Sequence, residues 1–215
     1  MPPVLRLCED NFSNGATLAL PALPRLIFVV HGSVTISDRT LSDGAAWHGE
    51  GAITLHAGAA GAACWRFELA SKAQSDAASP GVTSREKLAA ELATLPAGDL
   101  LLRGDSVGFP PGGCAYLHRH QGPGIRCLLA GGIRIDTHGR STSYGPGGAW
   151  YESGPDPVFA QAAADRPSRF IRVMVLPRAL VGKSSIQYVN EADKDKLRVQ
   201  QYEIFADAPI ARPGG

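Results

Sequence analysis

Cysteine is scarce and scattered in this sequence of 215 residues. The four, Cys8, Cys64, Cys114 and Cys127, show neither CxxC spacing nor the density of a disulfide scaffold, so reduced thiols are expected. An excess of either charge is missing too. Lys and Arg number 21 against 20 Asp and Glu, a net charge of +1, and no basic stripe is visible, which excludes nucleic acid and anionic membrane as expected partners. No apolar run approaches the roughly 18 residues of a membrane span, and the opening MPPVLRLCEDNF lacks the basic start and apolar core of a signal peptide. The expectation is a cytoplasmic, soluble protein.

What is present is glycine and proline, 25 and 16 of them, punctuating short apolar runs. That rhythm is how an all-β sandwich or barrel reads. Residues 71–82, SKAQSDAASPGV, form a polar linker without periodicity. In the next stretch Thr83 and Glu86 stand in the capping-box relation, and Leu88, Leu92 and Leu95 follow at spacings of four and three, so a short amphipathic helix ended by Pro96 and Gly98 is expected. Strand-like runs then resume to Pro177. Beyond it lies a tail in which SIQYV and QQYEIF read as two further strands around a charged turn. Such strands need a surface to cover them, either their own barrel or a second subunit.

The chain also repeats. LIFVVHGSVTI and IRCLLAGGIRI align with Gly32 over Gly131, an offset of 99, and GAAWH falls under GGAWY, placing Trp47 over Trp150. Two copies of one β unit are therefore expected: residues 1–70, then a linker and helix over 71–96, a second unit over 97–180 and an extension over 181–215.

Within the second copy, 112–131 reads GGCAYLHRHQGPGIRCLLAG. His118 and His120 are one residue apart on a strand, so their imidazoles share a face and can converge on a metal ion or a proton. Two imidazoles alone hold a divalent ion weakly, and a third ligand has to come from elsewhere. Glu152 is the best carboxylate; Tyr116 and Cys114 share the strand phase of the histidines. Arg126 has the parity of position 124 and should point inward, where a guanidinium must be paired. It either clamps a substrate carboxylate or pairs with Glu152 or Asp136 for the fold's sake. If it holds Glu152, that carboxylate is a poorer metal ligand. Trp150, with Trp47 at the equivalent place, reads as repeated core packing, while Tyr151 is a candidate substrate contact or proton donor.

These residues resemble the cupin superfamily, and the two-copy layout resembles a bicupin. Gly112, five residues, His118-Arg119-His120, three residues, Gly124, six residues and Gly131 fit every spacing of the first cupin motif, with glycine at 124 where the family has glutamate. The second motif is worn: Gly147 leads to Pro155 and to Val158, where the third histidine would stand. In the first copy Ala19, Pro21 and Arg25 occupy the ligand positions, so that copy should hold no metal, and His56 reads as a surface or packing residue.

The resemblance implies an all-β fold of two antiparallel jelly-roll barrels. It further implies a divalent metal, whether iron, manganese, nickel, copper or zinc, on His118, His120 and Glu152. The substrate would be a small metabolite, anionic if Arg126, Tyr116 and Tyr151 bind it. Oxygenase, isomerase, decarboxylase and lyase chemistry are not separated by fold. A metal-free binding or sensing protein and a structural protein are the rival readings. A homodimer through the C-terminal extension is expected from the apolar tail.

Overall fold

A computed structural model describes residues 2–72 and 77–213. The chain divides into two compact units, Met1–Ala93 with Ile210–Gly215, and Thr94–Pro209. Both are built of antiparallel strands, and among the described residues no helix is long and apolar enough to cross a membrane.

The first unit contains β1 (Val4–Phe12), β2 (Thr17–Leu20), β3 (Arg25–Ile36), β4 (Arg39–Ser42), β5 (Ala46–Gly49), β6 (Ile53–Ala70) and β7 (Val82–Glu91). They form one sheet in the order β4-β3-β6-β1-β7, with β2 on β6 and β5 on β3. The second unit contains β8 (Leu100–Phe109), β9 (Cys114–His120), β10 (Gly124–Ala130), β11 (Ile133–Thr137), β12 (Arg140–Tyr144), β13 (Ala149–Glu152), β14 (Val158–Ala162), β15 (Ser168–Pro177), β16 (Ile186–Tyr188) and β17 (Gln201–Ile210). These make two five-stranded sheets, β13-β10-β15-β8-β17 and β12-β11-β14-β9-β16, the two layers of a jelly roll.

The two units share a pairing pattern, apart from β16, which has no counterpart in the first. β3 pairs β4, β5 and β6 as β10 and β11 pair β12, β13, β14 and β15. Where the first unit runs β3 and β6 unbroken for 12 and 18 residues, the second divides each in two. The coincident glycines explain the bend. Gly32 and Gly131 both have φ of +82°, and a Cβ would meet the Gly61 carbonyl oxygen at 2.2 Å in one and the Pro167 carbonyl oxygen at 2.3 Å in the other. Only glycine allows both the left-handed backbone and the close strand crossing.

The expected helix after the linker is instead β7, and part of that linker, residues 73–76, lies outside the described residues. β7 pairs β1 along its length, with a register shift between Leu7 and Cys8. Its polar side chains serve cross-strand partners, not a helix cap: Lys87 Nζ is 2.9 Å from Glu9 Oε2 and Ser84 Oγ donates to Asp10 Oδ1 at 2.5 Å. The open backbone edge of β1 overrides helix-like leucine spacing, because tertiary pairing outweighs intrinsic propensity. β7 sits on β1 as β17 sits on β8, so the presumed connector and the presumed extension are the same fifth strand of the repeat. Both tail strands pair within their own unit, β16 on β9 and β17 on β8.

In the first unit an apolar core that includes Leu18, Ile27, Val34 and Leu55 is accompanied by a buried network of paired charge. Arg66 binds Asp10 through two nitrogens at 2.6 and 3.0 Å, and Glu68 accepts from Arg6, Arg25 and Arg66. Five of these side chains, Arg6, Asp10, Arg25, Arg66 and Glu68, are buried, and His56 is exposed. Arg25, at the glutamate position of the motif, is thus a structural ion-pair member.

Candidate metal centre

His118 and His120 come from β9 and Glu152 from β13, and all three side chains are buried. Their potential ligand atoms lie within 4.8 Å of one another, the one such cluster among the described residues. The two Nε2 atoms are 3.2 Å apart, with the rings at 84°. Two nitrogens on one ion, each bonded at about 2.1 Å, stand about 3.0–3.4 Å apart in tetrahedral or octahedral geometry. The pair is therefore spaced for a shared ion. Glu152 Oε2 is 3.7 Å from His120 Nε2, slightly wider than that range.

The second layer sets the tautomers. His118 Nδ1 is 2.7 Å from the Tyr116 carbonyl, which can only accept, so in the neutral ring Nδ1 carries the proton and Nε2 offers a lone pair. His120 Nδ1 faces the Ser185 hydroxyl at 3.1 Å. A hydroxyl both donates and accepts, so His120 can present either a lone pair to an ion or an N–H to His118. Burial lowers both imidazoles below their ordinary range, His120 strongly, with Arg126 and Arg172 reinforcing it there. Both rings are thus neutral near pH 7, the form that ligates metal.

Glu152 is held by a hydrogen bond at one oxygen and by an ion pair at the other. Trp150 Nε1 donates to Oε1 at 2.9 Å, while Oε2 is buried without a hydrogen bond. Arg126 Nη2 is 2.8 Å from Oε2, an ion pair by distance. The guanidinium has further partners, Nη1 donating to the Gly124 carbonyl at 2.7 Å and Nη2 lying 3.8 Å from Met174 Sδ. Burial pulls Arg126 down to about 10, opposed by Glu152, and it stays charged at neutral pH. Oε2, free of hydrogen bonds but ion-paired with Arg126, lies beside two imidazole nitrogens that can offer lone pairs, a donor set that fits a divalent ion, with Arg126 competing for the same carboxylate.

The glycine at position 124 has a local cause. A Cβ at Gly124 would meet the Val173 carbonyl oxygen at 2.6 Å and Met174 Cγ at 2.7 Å, so position 124 cannot carry a side chain. Glu152 is its direct cross-strand partner in the β10–β13 ladder. The carboxylate arrives at the same level of the sheet from the neighbouring strand. Val158, at the third-histidine position, pairs directly with His118, so a branched aliphatic stands where an imidazole would.

Other candidates lie elsewhere. The β9–β14 ladder shifts register between Val158 and Ala160, which pair with His118 and Ala115. This bulge reverses the strand phase between Ala115 and His118. Ala115 lines the cavity with the histidines; Tyr116 contributes its carbonyl, and its ring lies 4.3 Å under Lys196 Nζ. Cys114, sharing Tyr116's phase, is off the cavity as well. Tyr151 alternates away from the inward Trp150 and Glu152 and lines a surface pocket. Asp136 is bound to Arg134 and Ser141, away from Arg126. Trp150 packs as expected, 4.9 Å from Tyr144 and 5.2 Å from Phe170, and it also positions Glu152.

Sequence reading misses Ser185, Arg172 and Asp105. Arg172 pairs with Asp105 through two bonds of 2.9 and 2.6 Å beside Arg126. The β10–β15 ladder sets Arg126 opposite Arg172, a juxtaposition no linear motif reveals. The space left around His118, His120 and Glu152 is a cavity of about 20 Å3, room for an ion or a water.

No protein-family model matches the chain, and no curated protein matches it. Solved structures do. A structure concerned with the Mn(II) centres of Bacillus subtilis oxalate decarboxylase aligns at TM-score 0.59 and 12% identity over 79% of this chain and 68% of that one. A variant of the B. subtilis enzyme aligns at 0.59 and 12% over 82% and 72%. A structure addressing the substrate binding mode of oxalate decarboxylase aligns at 0.58 and 14% over 79% and 68%. At these identities the likeness is one of fold, and the fold is the cupin jelly roll.

Proposed function

We propose that this chain is a bicupin whose second unit binds a divalent transition metal through His118, His120 and Glu152 and acts on a small metabolite, the first unit having lost its site. The observation that carries this reading is the 3.2 Å approach of two buried Nε2 atoms beside the Glu152 carboxylate. When bound, the metal supplies a Lewis acid or a site for oxygen activation. The chain's own residues do the rest. The Tyr116 carbonyl and Ser185 orient the imidazoles, Trp150 turns one carboxylate oxygen away, and the apolar wall of Val107, Phe109 and Phe170 excludes bulk water. Manganese, reported for the oxalate decarboxylase structure of similar fold, is the first ion to try. The four free cysteines, three of them buried, suit a reducing compartment, and we place the protein in the cytoplasm.

The test is metal content by mass spectrometry on untagged, chelator-free protein, beside the double variant His118→Ala, His120→Ala. Near one ion per chain in the parent and almost none in the variant is the expected result. No uptake after incubation with iron, manganese, nickel, copper and zinc overturns the metal reading. It would then favour a metal-free binding protein, in which the histidines hydrogen-bond each other and Arg126 keeps Glu152.

A further inference from the structure

The inner cavity of about 20 Å3 admits no organic molecule. Next to it is a second cavity of about 310 Å3, which shares Arg172, Ile186 and Tyr202 with the first. A volume of this size is at the lower end for small-molecule sites. Its far wall is built by the segment that follows the last barrel strand, including residues 182–186, Arg198 and β17.

The charges in this vestibule do not cancel. Arg103 is committed to Asp207 at 2.8 Å and to the Leu180 and Lys183 carbonyls. Arg172 is committed to Asp105. That leaves Lys183 and Arg198. No carboxylate among the described residues forms an ion pair with either, and the Arg198 guanidinium stands 5.3 Å over the Tyr188 ring. Two uncompensated cations face a concavity whose other walls include Ile186 and Ile204. Such a wall attracts an anion and favours one with a short apolar body that can rest on the isoleucines.

We propose that this vestibule is the binding site of a small organic anion, its charged group held by Lys183 and Arg198 and its apolar body against Ile186 and Ile204. The proposal deepens the reading of the second unit as a small-molecule site. It also moves anion recognition from Arg126, which is fully buried and committed, to the C-terminal segment. Ser185 lines the same wall and contacts His120, so the site borders the back of a metal ligand.

The experiment is calorimetric titration of the full chain, chelator-treated and manganese-loaded, with hexanoate, hexyl phosphate and the neutral control hexanamide. The variant is Lys183→Gln, Arg198→Gln; both side chains are exposed, and an unchanged melting curve checks its fold. Hexanoate should bind about tenfold or more tightly than hexanamide, and the variant should lose about that factor for the anion only. Tighter binding of hexyl phosphate would support the site and assign a phosphate ester as the anion. Equal affinity for hexanoate and hexanamide, no anion binding at millimolar concentration, or an unaffected variant overturns the proposal. Anion binding in a protein that takes up no metal overturns the metal reading alone; metal uptake without anion binding overturns the vestibule alone.

Discussion

Gly124 and Glu152 face each other across two strands, and between them they account for the altered ligand set. The backbone of β15 crowds position 124 so closely that no side chain fits, and the partner strand delivers the carboxylate instead. The third histidine has no such substitute. Val158 pairs with His118 and so presents its side chain to the same face. We expect Val158→His to add an imidazole to the cluster and to tighten manganese or zinc binding by about tenfold or more, measured by competition with a fluorescent chelator. Unchanged affinity would mean that residue 158 does not reach the ion. The lowered imidazole values also have a stability consequence. Both histidines stay neutral in the folded protein below their ordinary 6.5, whereas the unfolded chain takes up protons there. Folding stability of the metal-free protein should therefore fall as pH drops below about 6.5, towards the lowered folded values. Urea denaturation at pH 7.5 and 5.5 measures it, and His118→Ala, His120→Ala should flatten the dependence.

Among the elements, β16 and β17 decide the most. They extend both sheets of the second unit, β17 covering the β8 edge, and they bring Ser185, Arg198 and Tyr202 to the site. Arg103 is nearly buried and takes its carboxylate partner from β17, at Asp207. Truncation after Gly182 should leave that arginine unpaired and two strand edges open, destabilising the unit by about 3–5 kcal/mol, in the range for a broken buried pair. Chemical denaturation would read it, and a truncated chain of parental stability would count against an integral role for the tail. β7 carries the complementary lesson. Leu88, Leu92 and Leu95, at spacings of four and three, satisfy a helix, yet only Leu88 lies in β7, and the pairing with β1 and the cross-strand partners of Ser84 and Lys87 make the segment a strand.

At the scale of the whole molecule, two units of one pairing pattern have taken different interiors. The first is closed by a buried network of arginines and carboxylates; the second keeps histidines, a carboxylate and adjoining space. Surface character is divided as well. Among the described residues, the large apolar side chains that remain exposed, Val181, Val189, Leu197, Tyr202 and Ile204, all belong to the C-terminal segment, and Tyr202 and Ile204 line the vestibule. Apolar exposure concentrated in one segment suits an interaction surface. With β17 at a sheet edge, we propose a symmetric homodimer through this segment. Light scattering after size exclusion should give twice the chain mass. Val189→Asp with Leu197→Asp should halve it, and a monomeric parent would dismiss the dimer.

The sequence by itself determined the all-β class, the repeat with its two bending glycines, and the HxH pair with inward Arg126 and Glu152. Each of these is a local pattern: period-two alternation, turn glycines and fixed motif spacing are written in contiguous residues. From sequence, Tyr151 joins Glu152 at one site; the structure puts it in a separate surface pocket, since neighbours on one strand face opposite sides. Only the tertiary structure decided that β7 is a strand, that a bulge turns Tyr116 and Cys114 off the cavity, and that Arg126 meets Glu152 across Gly124. The same holds for Ser185 reaching His120 from 65 residues away. Those outcomes depend on which backbone edges and side chains meet after the chain has folded, and strand register, unlike periodicity, is a property of two segments at once.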